Sequence, residues 1–187
     1  QGAIIIVAGG KDVLNVDDTG ATRSKNGPLA GFLTASTLKG MGMGLGITSY
    51  SGFARININL GNSANVFTIQ STHAGTEVHL TTDANDIVNV QSTASATFVT
   101  TLTGSNTINV GSLAPNTGGL LSGIQGALTI TGTGNDTLNL DYTGSVAGAN
   151  SSGVMASPIR SPLSTASTWA RVKARTASLT PAWPSST

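Results

Sequence analysis

His73 and His79 are the only histidines of the chain, eight Asp and Glu residues supply its carboxylates, and it has no cysteine. That inventory removes thiolate nucleophiles, disulfides and cysteine-ligated metals at once. Imidazole chemistry needs a partner, either a carboxylate that orients the ring or further ligands around a metal. His79 falls on an outward position of a strand pattern and His73 in a turn, and neither has such a partner at a useful spacing. Asp17-Asp18 could form an acid pair or hold a metal. Thr19-Gly20 follows, however, and the four residues read as the end of a strand and its turn. Enzymes built on parallel β-stacks that cleave polysaccharides set carboxylates beside a second acid or a base. No strand here carries two acids on one face near Lys or Arg, so the chain reads as a protein without catalytic activity.

The glycine-rich stretch Lys39–Gly46 (KGMGMGLG) lacks the Lys-Ser/Thr ending of a phosphate-binding loop. The alternation of Met41, Met43 and Leu45 suits a strand or loop that caps a core. Nucleic-acid binding needs a basic stripe with aromatics. Through Met155 the chain instead carries eight acids against five bases.

The elements that must position these residues come from an unusual composition. Only 9% of residues are charged and 4% aromatic, against about 25% charged in an ordinary compact domain. The surface must therefore be solvated by hydroxyls, amides and backbone, as in stacked β architectures. Apolar residues, mostly Ile, Val and Leu, make up 39% and argue against disorder.

Five segments align on one template: Ala3–Val16, Arg55–Ile69, Glu77–Val90, Thr97–Val110 and Ala127–Leu140. Each reads as strand, small polar turn, Asp or Asn, then strand. The turn residues are Asp12, Asn65, Asp86, Asn106 and Asp136, and the middle spacings of 21 and 20 residues suit one coil of a stack. The second strands alternate with period two. Leu14/Val16, Phe67/Ile69, Val88/Val90, Ile108/Val110 and Leu138/Leu140 are expected inside; Asn15, Thr68, Asn89, Asn109 and Asn139 are expected outside, as hydrogen-bonded ladders. First strands repeat the pattern with Ile4/Ile6, Ile56/Ile58/Leu60, Val78/Leu80 and Leu128/Ile130 inward. Thr81, Thr101, Thr129 and Thr131 read as an outward threonine face, interrupted by Val99 and His79.

A longer period lies above this one. Gly2-Ala3 and Gly10–Gly20 (GKDVLNVDDTG) recur at an offset of 124 residues as Gly126-Ala127 and Gly134–Gly144 (GNDTLNLDYTG). The chain thus divides into residues 1–155, holding one unit (2–125) and the start of a second, and a divergent tail over 156–187. The tail has four bases, no acid and Pro158, Pro162, Pro181 and Pro184. No apolar run is long enough to span a bilayer.

The segment Gly132–Leu140 (GTGNDTLNL) resembles the hemolysin-type nonapeptide of RTX proteins, G-G-x-G-x-D-x-U-x. The phrases Ile69–Gly75, Asn109–Pro115 and Gly119–Thr131 look like those of large bacterial extracellular repeat proteins. The resemblance covers about residues 1–155. It implies an all-β, right-handed parallel β-solenoid of about 20-residue coils with insertions, secreted or displayed on the cell surface. It also implies calcium at Asp136, although the pattern's glycines survive together only at Gly132 and Gly134, and the other turn residues read as simple turn closers. The expected function is a structural or adhesive module that associates end to end. The alternative is a module that binds polysaccharide or a cell surface through its polar ladder.

Overall fold

The computed structural model describes residues 3–43 and 47–145. Over these the chain is all-β, with one short 3-10 turn at Gly27–Leu29. The strands are β1 (Ile4–Asp17), β2 (Gly31–Leu33), β3 (Thr37–Lys39), β4 (Ile47–Asn59), β5 (Val66–Ile69), β6 (Glu77–Thr82), β7 (Ile87–Val90), β8 (Thr97–Thr101), β9 (Thr107–Val110), β10 (Leu128–Gly132) and β11 (Thr137–Leu140). They form one mixed sheet in the order β10-β8-β6-β4-β3-β2-β5-β7-β9-β11, with β1 on β4 beside that path. The short strand β3 runs antiparallel to both its neighbours, β2 and β4, while β2 runs parallel to β5, and this reversal folds the sheet back on itself. It curls into a half-barrel with two parallel arms.

Each polar turn joins one arm to the other, so β4–β5, β6–β7, β8–β9 and β10–β11 are successive tiers. In the first arm the register runs Ile56↔Val78↔Thr97↔Leu128 and Ile58↔Leu80↔Val99↔Ile130. In the second it runs Phe67↔Val88↔Ile108↔Leu138 and Ile69↔Val90↔Val110↔Leu140. The inward side chains of both arms make one apolar core, completed at the hairpin end by Leu33, Leu38, Met41 and Tyr50. Full burial of a Val, Leu or Ile is worth about 1.5–3 kcal/mol, whereas a typical hydrogen bond nets about 0.5–1.5 kcal/mol. The apolar columns therefore supply most of the stability. The polar ladders fix register, because slipping one residue would turn every apolar side chain outward.

The four later templates each fold as the expected strand, turn and strand, although Leu140, expected inside, is 38% exposed, and the first template does not. Ala3–Val16 was expected as two strands about a turn at Asp12. It forms instead the single long strand β1, which bulges between Val7 and Val13 and lies along all of β4. Leu14 and Val16 consequently pair with Ile56 and Ile58 in the first arm, not with Phe67 and Ile69 in the second. The place expected for them is taken by Gly31–Leu33 of β2, paired with Phe67–Ile69. Ile4 was expected inside and is 57% exposed. A wholly parallel stack is also corrected, since closing the end of the core with a short chain segment requires the antiparallel hairpin β2–β3. Thr101 and Val99 face inward, not outward, and are fully buried. Met41 is buried and Met43 packs against the core, which bears out the capping reading of their segment. Residues 146–155 of the expected stack and the tail 156–187 lie outside the described residues.

Candidate functional site

The turn residues form a buried column that runs the length of the stack. The N–H of Lys25 donates to Asn65 Oδ1 (3.1 Å), that of Asn65 to Asp86 Oδ1 (2.7 Å), that of Asp86 to Asn106 Oδ1 (3.0 Å) and that of Asn106 to Asp136 Oδ1 (3.0 Å). Each Asx thus closes its turn against the backbone of the preceding tier. Amide and acid alternate along the column. Asn65 donates through Nδ2 to Gly61 O, and Asn106 to Thr103 O and Asp136 Oδ1. Asp86 has no such donor, and its Oδ2 is buried without a partner, as is the hydroxyl of Thr82 in the same tier. Burial pushes the Asp86 carboxyl above its ordinary range, against the stabilising N–H of Asn65. Lys25, with no signal of its own in the sequence, holds the first step, and its Nζ pairs with Asp18 at 3.1 Å. Asp17 accepts the N–H of Thr19, which makes Asp17-Asp18 a turn with one ion pair.

Asp136, the residue implied as a calcium ligand, stands at the last step of this column. Its Oδ1 accepts both the N–H and the side-chain amide of Asn106, and its Oδ2 accepts the hydroxyl of Thr101. Calcium takes six to eight oxygen ligands, several of them carboxylates. Among the described residues no three His, Asp or Glu side chains converge. The donor set around Asp136 does not fit such an ion, and its carboxylate is committed to the neighbouring tier. Chelation is therefore expected to move the melting temperature by less than about 10 °C, the scale of even a modestly occupied ligand site. A larger drop in a calorimetric scan with and without EDTA would show that the ion holds the stack.

On the second arm the expected ladder is present. Asn139 Nδ2 donates to Asn109 Oδ1 (2.8 Å), Asn109 to Asn89 (2.9 Å) and Asn89 to Thr68 Oγ1 (3.2 Å). Asn89 and Thr68 lie on this expected outward face but are buried there, beside the 111–126 insertion, whose Ala114 carbonyl accepts from Gln91. Toward Asn109 and Asn139 this flank opens into a groove of about 220 Å³, lined also by Ala114, Pro115, Asn116 and Asp141. Burial alone would raise the Asp141 carboxyl, but the Thr143 hydroxyl and the N–H groups of Gly119, Thr143 and Gly118 hold it below the usual range.

On the first arm, the outward His79 stacks on Phe98 with ring centroids 4.5 Å apart. Its Nε2 lies 3.4 Å from Glu77, which also accepts from Arg55. The Arg55 guanidinium, and then His79, hold Glu77 below the usual carboxylate range. His73 sits in a turn 3.4 Å from the Thr76 hydroxyl. The two histidines are not brought together with each other or with Asp136.

These sites belong to an all-β stack whose distinctive polar residues are spent on its own architecture. No family model, no curated protein and no solved structure matches this chain. Among the described residues no helix is long and apolar enough to cross a membrane.

Proposed function

We propose that the chain is a structural module of an extracellular repeat protein, with its tiers as coils of a right-handed parallel β-solenoid of RTX-like ancestry. In this reading it is a rigid, non-enzymatic rod segment that stacks end to end with its like. The observation that carries the reading is the turn column. Four consecutive Asx side chains are used to bind the preceding tier, so the same device joins tier to tier however many are stacked. The edge of β1 away from β4 pairs with no strand among the described residues. An unpaired strand edge is a template for another chain, and head-to-tail contacts that do not close propagate as filaments. Concentrated protein is expected to form filaments in electron micrographs, with a meridional diffraction spacing of about 4.7–4.9 Å from strands lying across the axis. A monomer at every concentration in sedimentation would overturn the proposal.

The groove at the end of the asparagine ladder favours a second reading, a module that binds polysaccharide. Pro115 and Leu140 offer apolar faces, and Asn139 Oδ1 accepts no bond among the described residues. Retention on insoluble polysaccharides, lost in Asn139→Ala, would establish it.

A further inference from the structure

Residues 2–20 and 126–144 are two versions of one segment, identical at ten of nineteen positions. They occupy different seats. β1 lies as an edge strand along β4, whereas β10 and β11 sit as a tier on β8 and β9. The identical positions include those through which the second version grips the tier beneath it. A Cβ on Gly126, Gly134 or Gly144 would stand 2.2, 2.3 or 2.1 Å from the carbonyl oxygens of Ser95, Gly104 and Gly118. Asp136 and Asn139 bond to Asn106 and Asn109, and Asp141 accepts the N–H of Gly119.

The first version keeps these residues as Gly2, Gly10, Gly20, Asp12, Asn15 and Asp17. On β4, Asn15 accepts the side-chain amide of Asn57 at 2.8 Å and Asp17 the N–H of Thr19, but Gly10, Gly20 and Asp12 are not used to grip the neighbouring strand. A Cβ at Gly10 or Gly20 would meet nothing within 4 Å. Gly10 has φ +94°, so its own backbone accounts for it; Gly20 has no such reason. The Asp12 carboxylate merely turns back to the N–H of Gly9 at 2.7 Å. Ile5 and Val7 stand 75% and 76% exposed.

We infer that residues 3–20 are built for a second seat, the β8–β9 tier of another copy of this chain, and that copies join there by strand exchange. This rests on the end-to-end reading above and specifies its joint. Transferring the register of 126–144 places Ile6 on Val99, Leu14 on Ile108, Asn15 on Asn109 and Asp12 against the N–H of Asn106. The displaced 126–144 segment takes the vacated β4 edge, so both seats remain filled and a further copy can be added. One interaction is lost: Asp18 leaves Lys25, and Tyr142, at the equivalent position, cannot replace it. That ion pair is the latch that keeps β1 at home. Ala8 stands where the second version has Gly132, at which a Cβ would lie 2.3 Å from Asp136 Oδ2 and 2.7 Å from the Thr101 hydroxyl, so in the second seat the ends of the Asp12 and Thr101 side chains must shift to admit it.

The absence of native cysteine makes the test direct. Adjacent strands lie about 4.8 Å apart, within the Cα separation that a disulfide spans. In the full chain, Asn15→Cys with Asn109→Cys is expected to give a ladder of covalent multimers under oxidation, beyond the background of either single variant. Asn15→Cys with Asn57→Cys, register partners within one chain, is expected to lock β1 at home and reduce multimers to that background. Gly20→Ala is expected to do the same with an unchanged melting temperature, whereas Gly144→Ala lowers it. Multimers that persist with β1 locked would overturn the exchange while leaving end-to-end stacking in place. A chain that never associates would overturn both.

Discussion

Asn106→Asp is expected to destabilise the chain by about 3–5 kcal/mol at neutral pH, the cost of an uncompensated buried charge, and to recover most of that loss in acid. Asn106 is the amide between two acids of the turn column. Its Nδ2 donates to Asp136 Oδ1 at 2.8 Å and to Thr103 O at 2.9 Å, and both Asn106 and Asp136 are buried. An oxygen in that place sets two carboxylates against each other at hydrogen-bond distance, and one must take a proton or the tiers must part. Held together by folding, the pair keeps a proton that the unfolded chain releases near pH 3.9, so its folded pKa is raised. The penalty is absent below the unfolded value and grows as pH rises toward the folded one. Urea unfolding at acid and neutral pH measures this directly. An equal loss at both would trace the effect to geometry and not to charge.

The alternation that makes this substitution so costly was legible in the sequence. Asn65, Asp86, Asn106 and Asp136 stand at one position of the template, and no two neighbours are both acids. The inward residues of β4, β6 and β10 and most of those on the later second strands were equally plain, because period-two alternation separates the two faces of a strand; those of β8 were not. Which arm a strand joins was not. Leu14-Asn15-Val16 and Ile56-Asn57-Ile58 share the pattern of Val88-Asn89-Val90 and Ile108-Asn109-Val110, yet the first two lie in one arm and the last two in the other. Apolar-Asn-apolar fits both arms, since both present an inward core face and an outward polar face. The assignment is made by non-local contacts at the end of the stack, where β2 and β3 close the core with three residues each, too few to show a period. Lys25 was missed for a related reason. It contributes its backbone N–H to the turn column, and a backbone group leaves no mark in the residue type. Thr101 was misplaced because threonine is common on solvated strands, and only the carboxylate of Asp136 thirty-five residues away explains a hydroxyl inside.

The same column contains one acid that the fold would do better without. Asp86→Asn is expected to stabilise the chain by about 1–3 kcal/mol at neutral pH, the cost of a buried polar atom left without a partner. Oδ1 keeps the N–H of Asn65 at 2.7 Å, while the unpartnered Oδ2 becomes a donor. The neighbouring amides show what such a donor reaches: Asn106 bonds the carbonyl three residues before it, and Asn65 the carbonyl four before. For residue 86 these are Asp83 and Thr82, and Thr82 also offers its unpaired hydroxyl. Burial first, with the nearby charge of Asp83 adding to it, raises the Asp86 carboxyl in the folded chain. A raised acid binds its proton more tightly folded than unfolded. Its ionisation therefore costs nothing below the unfolded value of about 3.9, and the cost increases with pH until the folded value is passed. The advantage of asparagine should follow that curve, full at neutral pH and vanishing in acid, where the protonated carboxyl becomes a donor itself. Chemical denaturation of both proteins from acid to neutral pH decides it. An advantage that does not change with pH would mean that the carboxyl is not its source, and a variant less stable at neutral pH would mean that Oδ2 has a partner after all.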